Sequence, residues 1–124
     1  MNFDDLFRRE YDAEHYNCLH FTIEAWQALF GIDLSFMLEA FVREGRKYSL
    51  NRAARLKKFR PIQEPVSPCL CLMRGLVADE THIASFLDGR ILHITEWQGV
   101  QYLPQEVVLN TYRRVQFYEP IDHH

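Results

Sequence analysis

Apolar residues recur at Leu19, Ile23, Trp26 and Phe30, and Phe21, Ala25 and Leu29 widen the same stripe. This 3.6-residue period predicts a helix of roughly three turns, with Asn17 as its N-cap and Gly31 as its stop. Ahead of it, Phe3, Leu6, Phe7 and Tyr11 have helical spacing and predict a short helix or turn over residues 3–15. Beyond Gly31, Asp33 or Ser35 could cap a second helix through Phe36, Met37, Ala40 and Phe41 that ends near Gly45. Ser49 could cap a third, with Leu50, Ala53, Ala54 and Leu56 apolar. Pro61, Pro65 and Pro68 mark an extended connection, where the pattern turns from helical to sheet-like. Cys69-Leu70-Cys71-Leu72-Met73 is apolar throughout, as in a central strand buried on both faces.

Two strand-like runs, Thr81–Leu87 and Arg90–Thr95, flank Asp88-Gly89, a hairpin signal because both turn positions need positive φ. Val100 to Leu103 predicts another strand, and Pro104 the start of a short helix through Glu106, Val107 and Leu109. Arg113 to Tyr118 alternates as a last strand closing the sheet. The fold class expected is α+β, with helices from the first half packed on an antiparallel sheet from the second. Residues 1–124 are expected to form a single domain, because 48% apolar content suffices for one core but not two.

Charge and cysteine content narrow the classes. A net charge of -3 suggests no strong electrostatic partner overall. No apolar run approaches the roughly eighteen residues of a membrane span, so no membrane partner is expected. The opening Met1-Asn2-Phe3-Asp4-Asp5 is acidic and no apolar signal segment follows it, which predicts a product made in the cytoplasm. Three cysteines fit a reduced protein better than a disulfide scaffold. Eight of the fourteen basic residues fall between Arg43 and Arg60, against Glu44 alone. A solvated or internally paired face is the favoured reading of that stretch; nucleic acid or an anionic wall polymer is the alternative.

The chemistry centres on Cys18. At the first helical position, unpaired N–H groups and the positive dipole end favour a thiolate, and the same N–H groups could hold an oxyanion. The two-residue hairpin turn pairs Leu87 with Arg90, so Ala84 faces His93 and Thr95 faces His82. His82 and His93 are then diagonal neighbours on one face, roughly 7–8 Å apart between backbones, with small Ala84 leaving room for both rings. Cysteine, histidine and a polar residue that orients the histidine follow the logic of a thiol-hydrolase triad: Cys18 as nucleophile, His82 as base, His93 fixing its tautomer. Tyr11 and Tyr16 are near enough in sequence to approach the thiol, and His15 could line the site. His20, roughly 200° round the helix from Cys18, points away and reads as structural. Cys69 and Cys71 share a strand face and are poorly placed for a disulfide with each other. No Cys-x-x-Cys or paired-histidine spacing is present, so neither metal nor other cofactor is expected. Asp79-Glu80 could shape a cleft beside His82. His123 and His124 are given no role.

The order Asn17-Cys18 opening a helix, then His82-Ile83-Ala84-Ser85-Phe86-Leu87, Asp88-Gly89 and Leu92-His93, resembles the NlpC-type cysteine peptidases, a papain-like family. Gly99-Val100 and the closing Arg114-Val115-Gln116-Phe117-Tyr118 resemble the domain ends of its phage tail members. Asn17 stands where the family usually has an acidic residue, Leu19 and His20 where it has small ones, and its usual Gly-Asp is absent near Pro68-Cys69. The resemblance implies a papain-like fold and catalysis by Cys18, His82 and His93, with Tyr11, Tyr16 and Asn17 as substrate-binding or supporting residues. It also implies a peptidoglycan stem peptide as substrate, cut at a D-glutamyl–diamino acid bond. The context implied is a phage tail-tip or tail-assembly component, with other tail proteins as partners and the virion tail as destination. Two alternatives stay open: a docking module with a silent triad, and a cytosolic thiol amidase or acyltransferase with a non-wall substrate.

Overall fold

The computed structural model describes residues 3–35, 41–44, 47–50, 59–75 and 81–120. Helix α1 (Phe3–Leu6) and helix α2 (Cys18–Phe30) open the chain. A hairpin of β1 (Phe41–Glu44) and β2 (Lys47–Leu50) follows. Then come β3 (Phe59–Ile62), β4 (Cys69–Arg74), β5 (Thr81–Leu87), β6 (Arg90–Thr95), β7 (Gly99–Pro104), helix α3 (Gln105–Leu109) and β8 (Arg114–Pro120). The last six strands form an open antiparallel sheet in the order β3-β8-β4-β5-β6-β7. The architecture is thus mixed α/β. No helix among the described residues is long and apolar enough to cross a membrane.

Both faces of the sheet are covered, which explains the unbroken apolar run of β4. On one face α2 sets Phe21, Ala25 and Trp26 against Leu70, Ile83, Leu92, Ile94 and Tyr118. On the other, Cys69, Cys71, Met73, Ala84, Phe86 and Ile91 pack with Val108 of α3. The helix is also tied down by a polar bond: Trp26 Nε1 donates to Ser85 Oγ at 2.9 Å in the buried layer. Gly31, at φ 66, ends α2 in the left-handed conformation that glycine adopts without a Cβ clash.

Three expectations are corrected. Residues 41–44 and 47–50 are strands, not the end of a second helix and the start of a third. Phe41, Val42 and Tyr48 are aromatic or β-branched types that favour extended backbone once two such runs can pair. The remainder of both expected helices, at 36–40 and 51–58, lies outside the described residues, as does most of the basic stretch. Secondly, Pro61 belongs to an edge strand rather than to a connection. Proline lacks the N–H that a second neighbour would need, and an edge tolerates that loss. Thirdly, β8 does not close the sheet at a margin. It lies between β3 and β4, pairing Tyr118 with Pro61 on one side and with Leu70 on the other.

Candidate functional site

The start of α2 is built by Asn17. Its Oδ1 accepts from Leu19 N–H at 3.0 Å and from His20 N–H at 3.4 Å. In return His20 Nδ1 accepts from the Asn17 backbone N–H at 3.2 Å, which completes a reciprocal capping box. Such a cap contributes about 1 kcal/mol, and it makes Cys18 the first helical residue. His20 is structural as expected, and the cap is the structure it serves. The expectation of an oxyanion hole is changed by the same bonds. The Leu19 and His20 N–H groups are occupied by Asn17 and are not offered to a ligand.

The hairpin has the expected register. Leu87 pairs with Arg90, Phe86 with Ile91 and Ser85 with Leu92, around a turn with φ 53 at Asp88 and 78 at Gly89. Beyond Ser85–Leu92 no further β5–β6 backbone pair forms among the described residues. Instead, Thr81 to Ala84 pair with β4, and His93 to Thr95 pair with β7. The two strands therefore part at this end of the sheet, and the histidines span the opening: His82 Nε2 and His93 Nδ1 are 2.8 Å apart, with ring centroids at 5.0 Å.

One part of the expected arrangement is overturned. A triad of Cys18, His82 and His93 on one sheet face needs the helix that bears the cysteine to lie against the face that bears the histidines, and it does not. Helix α2 packs on the face of Ile83, Ser85, Leu92 and Ile94, and strand alternation puts His82 and His93 on the other face, that of Ala84 and Ile91. A strand exposes successive side chains to opposite sides, so no helix can cover both Ile83 and His82 from above. The start of β5 and the end of β6 lie near the first turn of α2. A cavity of about 450 Å³ lies there, and Cys18, His82, Asn17, Tyr11, Thr81 and Ile94 all line it.

The cavity sorts the candidates. Cys18, only 6% exposed, shares it with His82. His93, 3% exposed, stands behind His82 rather than in the wall. Tyr11 lines the cavity as expected, but Tyr16 does not. The Tyr16 hydroxyl instead donates to Glu24, which also receives Arg9 at 2.7 and 3.0 Å. Tyr16 therefore braces α2 through Glu24. His15 is exposed and bonded to Asp12. Asp79-Glu80 lies outside the described residues. Two residues without any notable spacing contribute as well. Tyr112 stacks flat on His82, with centroids at 5.8 Å and planes within 4°. Trp97, 88% exposed, stands at the mouth. An exposed tryptophan beside a turn is a signal that sequence alone could have flagged; the Tyr112 stack has none.

Cys69 and Cys71 are fully buried and away from the cavity. Their mutual hydrogen bond, and then burial, push the Cys71 thiol well above its usual range. Among the described residues no group of three or more His, Cys, Asp or Glu side chains has the geometry to hold a metal ion.

Burial dominates the electrostatics of the histidine pair. It is the main cause that lowers His82 to about 3, with repulsion from a charged His93 next, and it lowers His93 to about 4. In the unfolded chain each ring titrates near 6.5. Above that pH the titration of neither ring affects stability. Below it the unfolded chain binds protons that the folded chain refuses, so stability falls as pH drops towards 4, by at most about 1.4 kcal/mol per pH unit per ring. Urea unfolding at about pH 7 and about pH 5 is expected to show that loss, and a His82→Gln/His93→Gln double variant to lose most of the dependence.

Comparison of the chain with protein-family models, with curated proteins and with solved structures gave no match.

Proposed function

We propose that the protein is a cysteine hydrolase acting on peptide amide bonds, with Cys18 as nucleophile, His82 as general base and His93 as the residue that orients it. The observation that carries this reading is the 2.8 Å bond between His82 Nε2 and His93 Nδ1 at a cavity that also takes in Cys18. With Nε2 engaged, Nδ1 is the His82 nitrogen available for proton transfer. The Tyr112 stack holds the plane of the ring.

Burial disfavours the imidazolium at His82, which opposes a resting thiolate–imidazolium pair. The thiol proton passes from Sγ to His82 Nδ1 as sulfur attacks the carbonyl carbon. The tetrahedral intermediate collapses with cleavage of the C–N bond, and His82 returns the proton to the leaving amine. Water then attacks the thioester, giving its proton to His82. The acid departs and the thiol is restored.

The NlpC-type resemblance supports the finer reading: a papain-like domain, a peptidoglycan stem peptide as substrate, and a role at a phage tail tip or in tail assembly. A helix-start cysteine preceding an antiparallel sheet with histidines on adjacent strands is consistent with it. Incubation of the protein with purified cell walls is expected to lower turbidity and release free amino groups without releasing reducing sugar. Intact walls, with a Cys18 that alkylates only as fast as a free thiol, would remove the hydrolase reading in favour of docking. Intact walls with a fast-reacting Cys18 would leave a thiol amidase or acyltransferase for another substrate.

A further inference from the structure

The histidine pair has a far end. His93 Nδ1 meets His82, whereas His93 Nε2 is buried and makes no hydrogen bond of ordinary geometry among the described residues. Leaving a buried ring nitrogen unpaired is costly, so the group that approaches it decides its state. The residue paired directly with His93 across β6–β7 is Gln101. Directly paired residues share a face with Cβ atoms about 4.5–5.5 Å apart, within reach of a glutamine amide. That amide can present either its carbonyl oxygen or its NH2 group, and the two choices select opposite tautomers of a neutral imidazole.

The choice matters because the bond between the rings is directional. If His93 Nδ1–H donates, His82 Nε2 accepts, its proton sits on Nδ1, and that nitrogen has no lone pair to offer the thiol. If His82 Nε2–H donates, Nδ1 of His82 keeps its lone pair, and His93 must carry its own proton on Nε2.

We infer that Gln101 is a positioning residue whose side-chain carbonyl accepts from His93 Nε2–H, making His93 Nδ1 an acceptor for His82 Nε2–H. The ordered chain runs Gln101, His93, His82, and ends at the bare Nδ1 of His82. Only the final link, from that lone pair to the Cys18 thiol, rests on the hydrolase proposed above. Gln101 also opposes the effect of burial by favouring the protonated form of His93, as an oxygen turned towards the ring does and an NH2 group does not.

The full chain, labelled with 15N at histidine, tests this by two-bond proton–nitrogen correlation near neutral pH, which reads the protonated nitrogen of each ring. The wild type is expected to carry its protons on Nε2 in both His82 and His93. A proton on His93 Nδ1 would overturn the inference. Gln101→Leu removes the acceptor and should shift His93 away from the Nε2–H form. It should also slow iodoacetamide labelling of Cys18 by about tenfold or more, the direction in which a wrong imidazole tautomer acts. Gln101→Glu keeps an acceptor and should preserve both the tautomer and the labelling rate. Unchanged tautomers in Gln101→Leu would overturn the inference. Should that variant not fold, the wild-type spectrum and Gln101→Glu decide the matter, with a Nδ1–H form of His93 in either counting against it. The expected tautomers together with an unreactive Cys18 would refute the hydrolase reading while supporting the role of Gln101.

Discussion

Cys18→Ala is expected to reduce amide hydrolysis by at least about a thousandfold while leaving the protein folded. The thiol is 6% exposed at the first turn of α2, and the Asn17 cap holds the backbone there. Alanine fits that position and removes only the sulfur. The helix, the histidine pair and the cavity should survive, so the change isolates chemistry from stability. The paired measurement is alkylation with peptide mapping. In the wild type, Cys18 should be modified first, because Cys69 and Cys71 are fully buried behind the sheet. Equal release of amino groups by wild type and Cys18→Ala would end the proposal that this sulfur is the nucleophile.

Trp26→Ala should carry the largest stability cost, about 3–5 kcal/mol, the range for removing a large aromatic side chain from a core. Trp26 is 1% exposed, packs edge-on against Phe30 at 5.2 Å, and is the polar tether of α2 to β5 through Ser85. The loss should appear as a lower urea midpoint at constant slope. Trp26→Phe keeps most of the apolar contact but leaves the buried Ser85 hydroxyl without its donor. A smaller cost of about 1–3 kcal/mol is therefore expected. A Trp26→Ala cost below about 1 kcal/mol would mean that α2 is held by something other than this contact. The link to the site is direct, since the helix so tethered is the one that begins with Cys18.

Much of the candidate site was legible because it is local. Asp88-Gly89 is a two-residue turn, and such a turn sets the register of its flanks without reference to the rest of the chain. From that register alternation puts His82 and His93 on one face, and the rings do meet there although the pairing itself stops at Ser85–Leu92. Asn17 as cap and Gly31 as stop are likewise decisions of a few neighbouring residues. The parts of the two expected helices that fall on 41–44 and 47–50 failed for the same reason in reverse. Residues 41–50 can be written as helix or strand, and pairing with a neighbouring run, which local spacing does not report, decides between them.

What the amino-acid order determined by itself was therefore short-range: a capped helix beginning at Cys18, a hairpin carrying two histidines on one side, and an apolar central strand. The tertiary structure alone decided which face α2 covers, that β8 runs inside the sheet, that Tyr112 lies on His82, and that Gln101 stands across from His93. These outcomes depend on pairings and packing between segments far apart in the chain, where many arrangements satisfy the same local pattern. Burial of one shared core selects among them. The end of β5–β6 pairing at Ser85–Leu92 belongs to the second group, as does the cavity that Cys18 and His82 both line.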